Sequence, residues 1–389
     1  MSLIYTREQT AMIKLVRRMM ENEIKPHVPE ADKSGKCPRE LYDHAFRMGL
    51  HMAEIPVEFG GLGLSYETTA EIFEEVAKVD AGYALGLVCT FVALRNVILA
   101  GTKEQAAHFS ERIRDGGFAC FALTEAEAGS DPAGMRASAV YEPETDEYVI
   151  NAQKTFITNG AWADIYVVFA RTDNDAGSRG ISAFLVDRDA KGRIVIGHEE
   201  DKMGLRLSNT VDVSFRDVRV SSDKLIGREG DGFKLAMRAL NLSRPFLATL
   251  AVGIMQRALD ESVVYAMKRR QFGMPLIEFQ MIQKMLADMA IKVESSRCLI
   301  NNTMRTMDMN MDVQKEGAIT KAYVTDCGQQ VTSDAVQIFG GYGYNRDYPV
   351  EKLMRDMKAF QIMEGANQIQ RVVIASCLKE EYEKGVNGR

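Results

Sequence analysis

The first third of the chain repeats its apolar residues with the period of an α-helix. Thr6 and Gln9 form a candidate capping box, and the apolar stripe behind them has i, i+3, i+4, i+7 spacing. We expect Pro26 and Pro29 to end this helix, because proline lacks a backbone N–H and clashes with the preceding turn. The stripe comprises Met12, Leu15, Val16 and Met19, and further helical patterns cover Pro38–Met48, Ser65–Lys78 and Gly82–Leu99.

Near Gly116 the apolar period falls from about 3.6 to about 2, which is typical of half-buried β-strands. The alternation is strict in Val211–Phe215. Because no helical pattern separates these runs, their spacing predicts an antiparallel β-domain. The strand-like runs are Phe118–Leu123, Ala139–Tyr141, Tyr148–Ala152, Ile165–Ala170, Ile181–Val186, Ile194–Ile196 and Val211–Phe215.

From Gly232 onward the pattern is helical again, in four long amphipathic stretches. The order is therefore α, then β, then α, and the predicted fold class is α+β. We place an N-terminal helical domain at residues 1–115, the β-domain at 116–228 and a C-terminal helical domain at 229–389. The four stretches are Ser243–Lys268, Phe279–Met307, Val313–Phe339 and Asn367–Lys384.

Composition mainly excludes functions. The net charge of 389 residues is 48 − 54 = −6, whereas duplex nucleic-acid binders carry a basic surplus. The six cysteines form no CxxC pair, so we expect free thiols and no metal site. The apolar run Leu85–Gly101 contains Arg95 and Asn96, which predicts a buried helix rather than a membrane span. No signal-peptide pattern opens the chain, and we expect a cytoplasmic protein without P-loop, Rossmann or nucleophile-elbow motifs.

Three short stretches combine polar groups with glycine or an aromatic ring. Residues 124–131 pack hydroxyls and carboxylates behind a predicted strand, either to hold an anionic or heteroaromatic ligand or as a polar hairpin loop. Residues 154–160 set Phe156 between two threonines, either to stack on a ring or as part of a strand. Residues 363–367 set Glu364 before a glycine, either close to a ligand or as a helix N-terminal acid.

Together and in this order, the three stretches resemble the acyl-CoA dehydrogenase family of flavoenzymes. The resemblance extends over essentially the whole chain, including its α–β–α order. Further segments that resemble the family are Arg269–Gly273 with Leu276 and Gln280, Asp334–Gly343, Tyr348–Val350, and Arg355–Asp356 leading to Ile362–Gly365.

The resemblance implies a fold, a cofactor and an assembly. The C-terminal domain would be a four-helix bundle, and FAD would lie between the β-domain and the bundle of a homotetramer, a dimer of dimers. Residues expected beside the flavin are Phe121, Leu123, Thr124, Gly129, Ser130, Phe156 and Thr158. Residues expected at the diphosphate and adenosine end of a neighbouring subunit's FAD are Arg269, Gln271, Phe272, Phe279, Gln280, Gln337, Gly340 and Gly341, while Ala366 and Gln368 would return to the FAD of their own subunit.

The resemblance also implies a reaction. Glu364 is expected to take the α-proton of an acyl-CoA as general base, with a pKa raised by burial, while the β-hydride passes to flavin N5 and a 2-enoyl-CoA forms. The backbone N–H of Glu364 and a ribityl hydroxyl of FAD would stabilise the thioester oxygen. An electron-transferring flavoprotein is the expected electron acceptor. The expected substrate contacts are Ser130, Asn241, Arg244 and Gly365.

Phe91 and Arg95 fall on the helix that the resemblance places over the acyl group. A ring at Phe91 would favour short, branched or cyclic acyl groups, and Arg95 would bind a polar acyl end or pair with solvent or a carbonyl. An enoyl-CoA reductase of the same family and a non-catalytic helical scaffold are the alternatives, and the sequence leaves the acyl group and the physiological direction open. Departures from the residues most common in the family are Phe156, Met363, Ala366, Ala126 and Asn241.

Overall fold

The N-terminal domain is helical from its first described residue. The computed structural model describes residues 6–387; residues 388–389 lie outside it, as do residues 1–5, part of the stretch in which no targeting signal was expected. Thr6 caps the first helix in a reciprocal capping box with Gln9, as predicted. The helices are α1 (Arg7–Met19), α2 (Val28–Ser34), α3 (Asp43–Arg47), α4 (Tyr66–Val79), α5 (Ala81–Ala100) and α6 (Lys103–Arg114).

Two details of the first helix differ from the prediction. The buried face consists of Ile13, Val16 and Met19, whereas Leu15 is 57 % exposed. Pro26 and Pro29 do not end the helical path, because each lies in the first turn of a new short helix, where the missing N–H of proline has no intrahelical partner to lose.

Helix α5 is the central helix of this domain. Of the residues that the structure describes, it alone forms a helix long and apolar enough to cross a membrane by length and composition, and most of it is buried inside the protein. Asp80 caps its N-terminus by accepting a hydrogen bond from the backbone N–H of Tyr83 at 2.8 Å. The helix packs against α4, against the long helix Gly232–Lys268 of the C-terminal domain, and against the first strand of the sheet. It therefore forms one wall of the space between the domains.

The middle domain is an eight-stranded sheet, and seven of its strands overlap the seven predicted runs, whereas the two-residue strand Leu225–Ile226 was not predicted. Its order is β6-β7-β3-β2-β4-β5-β8, and β1 pairs with β4. The pairing is mainly antiparallel, as predicted, but β1 and β2 each pair with β4 in parallel, β2 through a single residue pair. The strands are β1 (Phe118–Ala122), β2 (Ser138–Glu142), β3 (Glu147–Thr158), β4 (Ala163–Arg171), β5 (Ile181–Asp187), β6 (Lys191–Glu199), β7 (Thr210–Ser221) and β8 (Leu225–Ile226).

The C-terminal domain is the expected four-helix bundle with one added helix. Helices α7, α8 and α9 pack on one another, α11 packs on α9, and the shorter α10 lies across α7 and α9. A small hairpin of two strands precedes α8. The elements are α7 (Gly232–Lys268), β9 (Arg270–Gln271), β10 (Met274–Pro275), α8 (Gln280–Asp308), α9 (Gln314–Phe339), α10 (Val350–Phe360) and α11 (Asn367–Asn387).

A buried ion cluster joins the three domains. Lys352 of α10 donates to Asp80 at 2.6 Å and to Asp356 at 2.5 Å. Asp356 also accepts the backbone N–H of Leu205, from the segment before β7, at 2.6 Å. One ammonium therefore serves two carboxylates where water is excluded, and burial, with Asp80 close by, raises the pKa of Asp356 although Lys352 opposes the rise.

Candidate active site

A cavity of about 410 Å³ lies where the three domains meet. Its walls come from α5, from the loops after β1 and at the end of β3, from α7, and from the turn between α10 and α11. The cavity therefore brings together segments that lie far apart in the sequence. Predicted site residues that line it are Phe121, Leu123, Thr124, Gly129, Ser130, Phe156, Thr158, Arg244, Glu364, Gly365 and Ala366.

The polar loop after β1 is fixed by a buried ion pair. Lys154 of β3 is fully buried and donates to Glu125 at 2.7 Å and to the carbonyl of Leu123 at 3.1 Å. Glu125 also accepts the backbone N–H groups of Arg136 and Ala137 at 2.7 and 3.1 Å. Burial would raise the pKa of Glu125, but Lys154 and the two N–H groups lower it overall. Glu125 is therefore an anionic structural group.

Phe156 lies in a position where a ring is left uncovered. Its backbone φ is +56°, a value that residues other than glycine rarely adopt. The residue is 65 % exposed. The backbone N–H of Thr155 donates to the carbonyl of Thr124 at 3.0 Å. This bond joins the end of β3, which carries Phe156, to the loop after β1, and Phe156 and Thr124 line the same cavity.

Glu364 lies in the turn between α10 and α11, and its backbone is held in an unusual conformation. Its φ is +52° and that of Gly365 is +92°. A Cβ at Gly365 would lie 2.5 Å from the side-chain nitrogen of Gln370, so this position requires glycine. The turn directs the Glu364 carboxylate into the cavity wall rather than along a helix.

Lys321 of α9 holds this turn in place, and sequence reasoning missed it. The fully buried ammonium donates to the carbonyl of Gly365 at 2.8 Å and to the side chain of Asn367 at 2.8 Å. Gln370 donates to the same Gly365 carbonyl at 2.8 Å. Burial lowers the pKa of Lys321 to about 8, although the nearby Glu364 opposes that shift. A lysine in an amphipathic helix carries no sequence signal for this function.

The electrostatics of Glu364 suit proton transfer near neutral pH. Burial raises its pKa to about 7, and the positive charges of Arg95, Arg244 and Lys321 oppose the rise. Its Oε2 atom is buried and has no hydrogen-bond partner among residues 6–387. A buried carboxylate oxygen without a partner is costly, and functional sites are where such groups collect.

Arg244 connects α7 to this turn. It donates to Asn241 at 2.6 Å and to the backbone carbonyl of Glu364 at 3.4 Å. The two predicted substrate contacts on α7 therefore contact each other. Burial lowers the pKa of Arg244, and the side chain lines the central cavity.

The remaining predicted cofactor residues gather elsewhere, around a second, open cavity of about 520 Å³. Arg269 lies over the ring of Tyr342 at 5.4 Å, and no carboxylate of the described chain lies within ion-pair distance of it. A Cβ at Gly340 or Gly341 would meet open space. The predicted residues that line this cavity are Arg269, Gln271, Gly340 and Gly341. The Phe272 side chain is 92 % exposed, and its ring centroid lies 6.1 Å from that of Phe279. Gln280 is the first residue of α8, and Gln337 and Gln368 are exposed.

The residues present fit FAD. An unpaired guanidinium suits a diphosphate, and an uncovered ring flanked by hydroxyls suits a flat heteroaromatic group with polar edges. The two sets of predicted residues line separate cavities of one chain.

Phe91 and Arg95, which were expected to contact the acyl group, do not line the central cavity. Phe91 is fully buried, edge-on to Phe73 at 5.6 Å. Arg95 is 2 % exposed and forms a bidentate pair with Glu54, at 3.0 and 2.5 Å. The partner of Arg95 is therefore a carboxylate rather than the solvent or carbonyl that was expected, and it comes from a segment 41 residues earlier in the chain.

Within residues 6–387 no group of three or more histidine, cysteine or acidic side chains is arranged to hold a metal ion. The six cysteines are free thiols, as expected.

The chain matches three protein-family models in succession. They describe the N-terminal, middle and C-terminal domains of acyl-CoA dehydrogenase, over residues 6–117, 120–218 and 230–379. A probable acyl-CoA dehydrogenase of Mycobacterium tuberculosis is 40 % identical over 373 residues, 95 % of each chain. Among solved structures, butyryl-CoA dehydrogenase from Megasphaera elsdenii has a TM-score of 0.94 and 37 % identity, over 97 % of this chain and 100 % of that one. A chain of the electron transferring flavoprotein structure of Acidaminococcus fermentans has a TM-score of 0.93 and 38 % identity, over 97 % and 99 %.

Proposed function

Because this chain belongs to the acyl-CoA dehydrogenase family, an enzyme family that uses FAD, we propose that Glu364 is the base that removes the α-proton of a short-chain acyl-CoA. The observation that carries the proposal is the buried Oε2 of Glu364, which has no partner in the described chain, on a carboxylate with a pKa of about 7. Such a group accepts a proton at neutral pH without first losing a hydrogen bond.

The turn that carries Glu364 also offers a donor to the thioester. No carbonyl of the described residues accepts the backbone N–H of Glu364. A free N–H beside the base stabilises the negative charge that develops on the thioester oxygen as the α-proton leaves. Lys321 and Gln370 hold the turn from behind by binding the Gly365 carbonyl, so the donor and the base keep a fixed relation.

The chain's own residues would hold the cofactor and exclude water from it. FAD, when bound, accepts the hydrogen that leaves the β-carbon with its electron pair. Thr124, Ser130 and Thr158 would bind the polar edges of its ring system, and Phe156 would cover one part of it. Arg269 would pair with the diphosphate by charge and by its fork of donors. A substrate that covers these groups would also keep water away from Glu364, so that Glu364 would be the group that accepts the proton.

We also propose that the protein is a homotetramer, a dimer of dimers. At each FAD, one subunit would supply the central cavity and its partner the open cavity that Arg269 lines. Support comes from the separate cavities described above and from uncovered apolar side chains on α7 and α8. Val264 is 50 % exposed, Met267 58 % and Met281 71 %, which is typical of a face that packs on another subunit. Light scattering of the flavin-loaded protein tests this, and a flavin-replete monomer would refute it.

An electron-transferring flavoprotein is the proposed acceptor, supported by the similarity to a chain in a structure of that class. The cytoplasm is the proposed compartment, supported by the bacterial origin of the relatives. A butyryl-like acyl group is the proposed substrate, supported by the similarity to butyryl-CoA dehydrogenase.

The test compares Glu364→Gln with Glu127→Gln. Gln keeps the shape of Glu364 but accepts no proton, so both variants should bind FAD while Glu364→Gln loses bleaching of the flavin by butyryl-CoA about 10²–10⁴-fold. Glu127 is a matched control, because its carboxylate is 71 % exposed and pairs with Arg136 at the surface. Wild-type bleaching by Glu364→Gln would assign the base to another group.

A further inference from the structure

Helices α5 and α7, which line the central cavity, also line a smaller cavity. The smaller cavity has a volume of about 300 Å³, and Leu94, Ile98 and Leu242 are among the apolar side chains that line it. Arg95 and Glu54 border the smaller cavity but do not line the central one, and we call this charged pair the wall.

The wall is rigid because each polar group in it has a partner. Arg95 donates to both oxygens of Glu54, and its remaining terminal nitrogen donates to the hydroxyl of Ser243 at 2.8 Å. The guanidinium carbon lies 4.3 Å from the ring centroid of Phe246. Arg95 is 2 % exposed and the side chain of Glu54 5 %. A bidentate pair stacked on a ring is among the better-fixed arrangements of an arginine.

The wall lies one helical turn beyond two residues that line the central cavity. Val92 and Leu240 line the central cavity, and Arg95 and Ser243 follow them by three residues on α5 and α7. Residues three apart lie on the same face of a helix, one turn on. The Arg95–Ser243 bond therefore joins the two helices one turn beyond Val92 and Leu240. The base is near as well, because Arg95 is the cation that most opposes the rise in the pKa of Glu364.

We propose that the Arg95–Glu54 pair, tied to Ser243, closes the acyl end of the cavity and limits the enzyme to short apolar acyl groups. This rests on the proposed function and names its substrate class. A longer chain must displace Arg95, which breaks the bidentate pair and leaves the Glu54 carboxylate buried without a counter-ion. An acyl chain that ends in a carboxylate gains nothing, because Glu54 already neutralises Arg95.

The experiment opens the wall without leaving a single buried charge. The variant Arg95→Ala/Glu54→Ala removes both charges and joins the two cavities, whereas the control Arg95→Met/Glu54→Gln removes the same charges but keeps most of the volume. For each FAD-loaded protein, kcat/KM is measured with butyryl-, hexanoyl- and octanoyl-CoA. A changed charge near Glu364 affects the three substrates alike. The ratio of kcat/KM for octanoyl-CoA to kcat/KM for butyryl-CoA therefore reports the effect of the wall on chain length.

The wild type and the control should prefer butyryl-CoA. The double alanine variant should raise the octanoyl-to-butyryl ratio at least tenfold, because each methylene newly buried is worth roughly fourfold. A wild type that oxidises octanoyl-CoA as well as butyryl-CoA, or an unchanged ratio in the double alanine variant, overturns the proposal.

A second measurement needs no variant and decides the matter if the double alanine protein does not fold. Acyl-CoA analogues with sulfur in place of the β-carbon cannot lose hydrogen there, and their dissociation constants are measured on the wild type by the flavin spectrum. Affinity should rise with each methylene and stop rising at the wall; a rise that continues through an eight-carbon chain overturns the proposal. If no acyl-CoA reduces the flavin, the proposed function fails, while the analogue series still reports on the wall.

Discussion

Replacing Lys321 with methionine should displace Glu364 and slow catalysis strongly, while it lowers the stability of the fold only modestly. The change removes the two hydrogen bonds that the ammonium donates to the Gly365 carbonyl and to Asn367. The Gly365 carbonyl keeps a donor, because Gln370 donates to it at 2.8 Å. The Asn367 oxygen keeps only a longer contact of 3.3 Å with the Thr325 hydroxyl, whose single hydrogen is shared with the Lys321 carbonyl at 2.8 Å. The change therefore loosens the turn of Glu364 and removes the main donor to one buried acceptor.

The energies on the two sides nearly cancel. Two hydrogen bonds from a charged donor contribute about 3–6 kcal/mol. Burial of the ammonium opposes this, and lowering the pKa of Lys321 from 10.5 to about 8 corresponds to about 3 kcal/mol. We therefore expect the free energy of unfolding to fall by at most about 3 kcal/mol. Catalysis has no such compensation, and a base displaced by about 1 Å costs about 10²-fold in rate.

The assay is anaerobic reduction of the bound flavin by butyryl-CoA, followed across pH. The rate should rise with pH as Glu364 loses its proton, with a midpoint near 7 in the wild type, if the substrate-free pKa governs it. Because Lys321 lowers the pKa of Glu364, Lys321→Met should move that midpoint upward as well as reduce the plateau. Lys315→Met is the control, since Lys315 lies on the same helix in a surface pair with Glu381. A wild-type rate and an unchanged midpoint in Lys321→Met would refute our account of the turn.

Two further predictions concern buried charges. The pKa of Glu364 is raised from 4.5 to about 7, so the folded state binds more protons and the wild type loses stability as pH rises through this range. Glu364→Gln should therefore match the wild type in urea unfolding below about pH 4.5 and exceed it by up to about 3 kcal/mol at about pH 8; equal stability at both values would argue against a buried ionisable carboxyl. Lys154→Met leaves the Glu125 carboxylate without its counter-ion, so the free energy of unfolding should fall by about 3–5 kcal/mol and less FAD should remain bound. Lys191→Met, in an exposed pair, should change neither quantity.

Periodicity predicted the elements because each helix and strand buries one face. The strand positions and the four long helices follow from that alone, and the Thr6 capping box followed from local chemistry. Leu15 was misplaced because a stripe of period about 3.6 fits two adjacent faces of a short helix nearly equally well. The predicted elements do not include α10, although its buried residues recur at helical spacing.

The pairings that join distant segments could not be predicted in this way. The parallel contact of β1 with β4 depends on the path of the chain between them. Arg95 was recognised as unusual, but its partner Glu54 lies 41 residues earlier and nothing in the spacing connects them. Lys321 lies 44 residues before Gly365. Glu364 was recognisable because its neighbours form a motif, whereas the groups that fix it are scattered through the chain.

The ion cluster at Lys352 also bears on how such chains can be recombined. Its charges come from the N-terminal and C-terminal domains, and the third domain contributes the backbone N–H of Leu205. Asp80 lies in the first family-matched segment, and Lys352 and Asp356 lie together in the third. A chimera that takes its third segment from a relative without this lysine leaves the buried Asp80 carboxylate without its counter-ion. Domain shuffling at these borders will succeed where Asp80, Lys352 and Asp356 travel as one set.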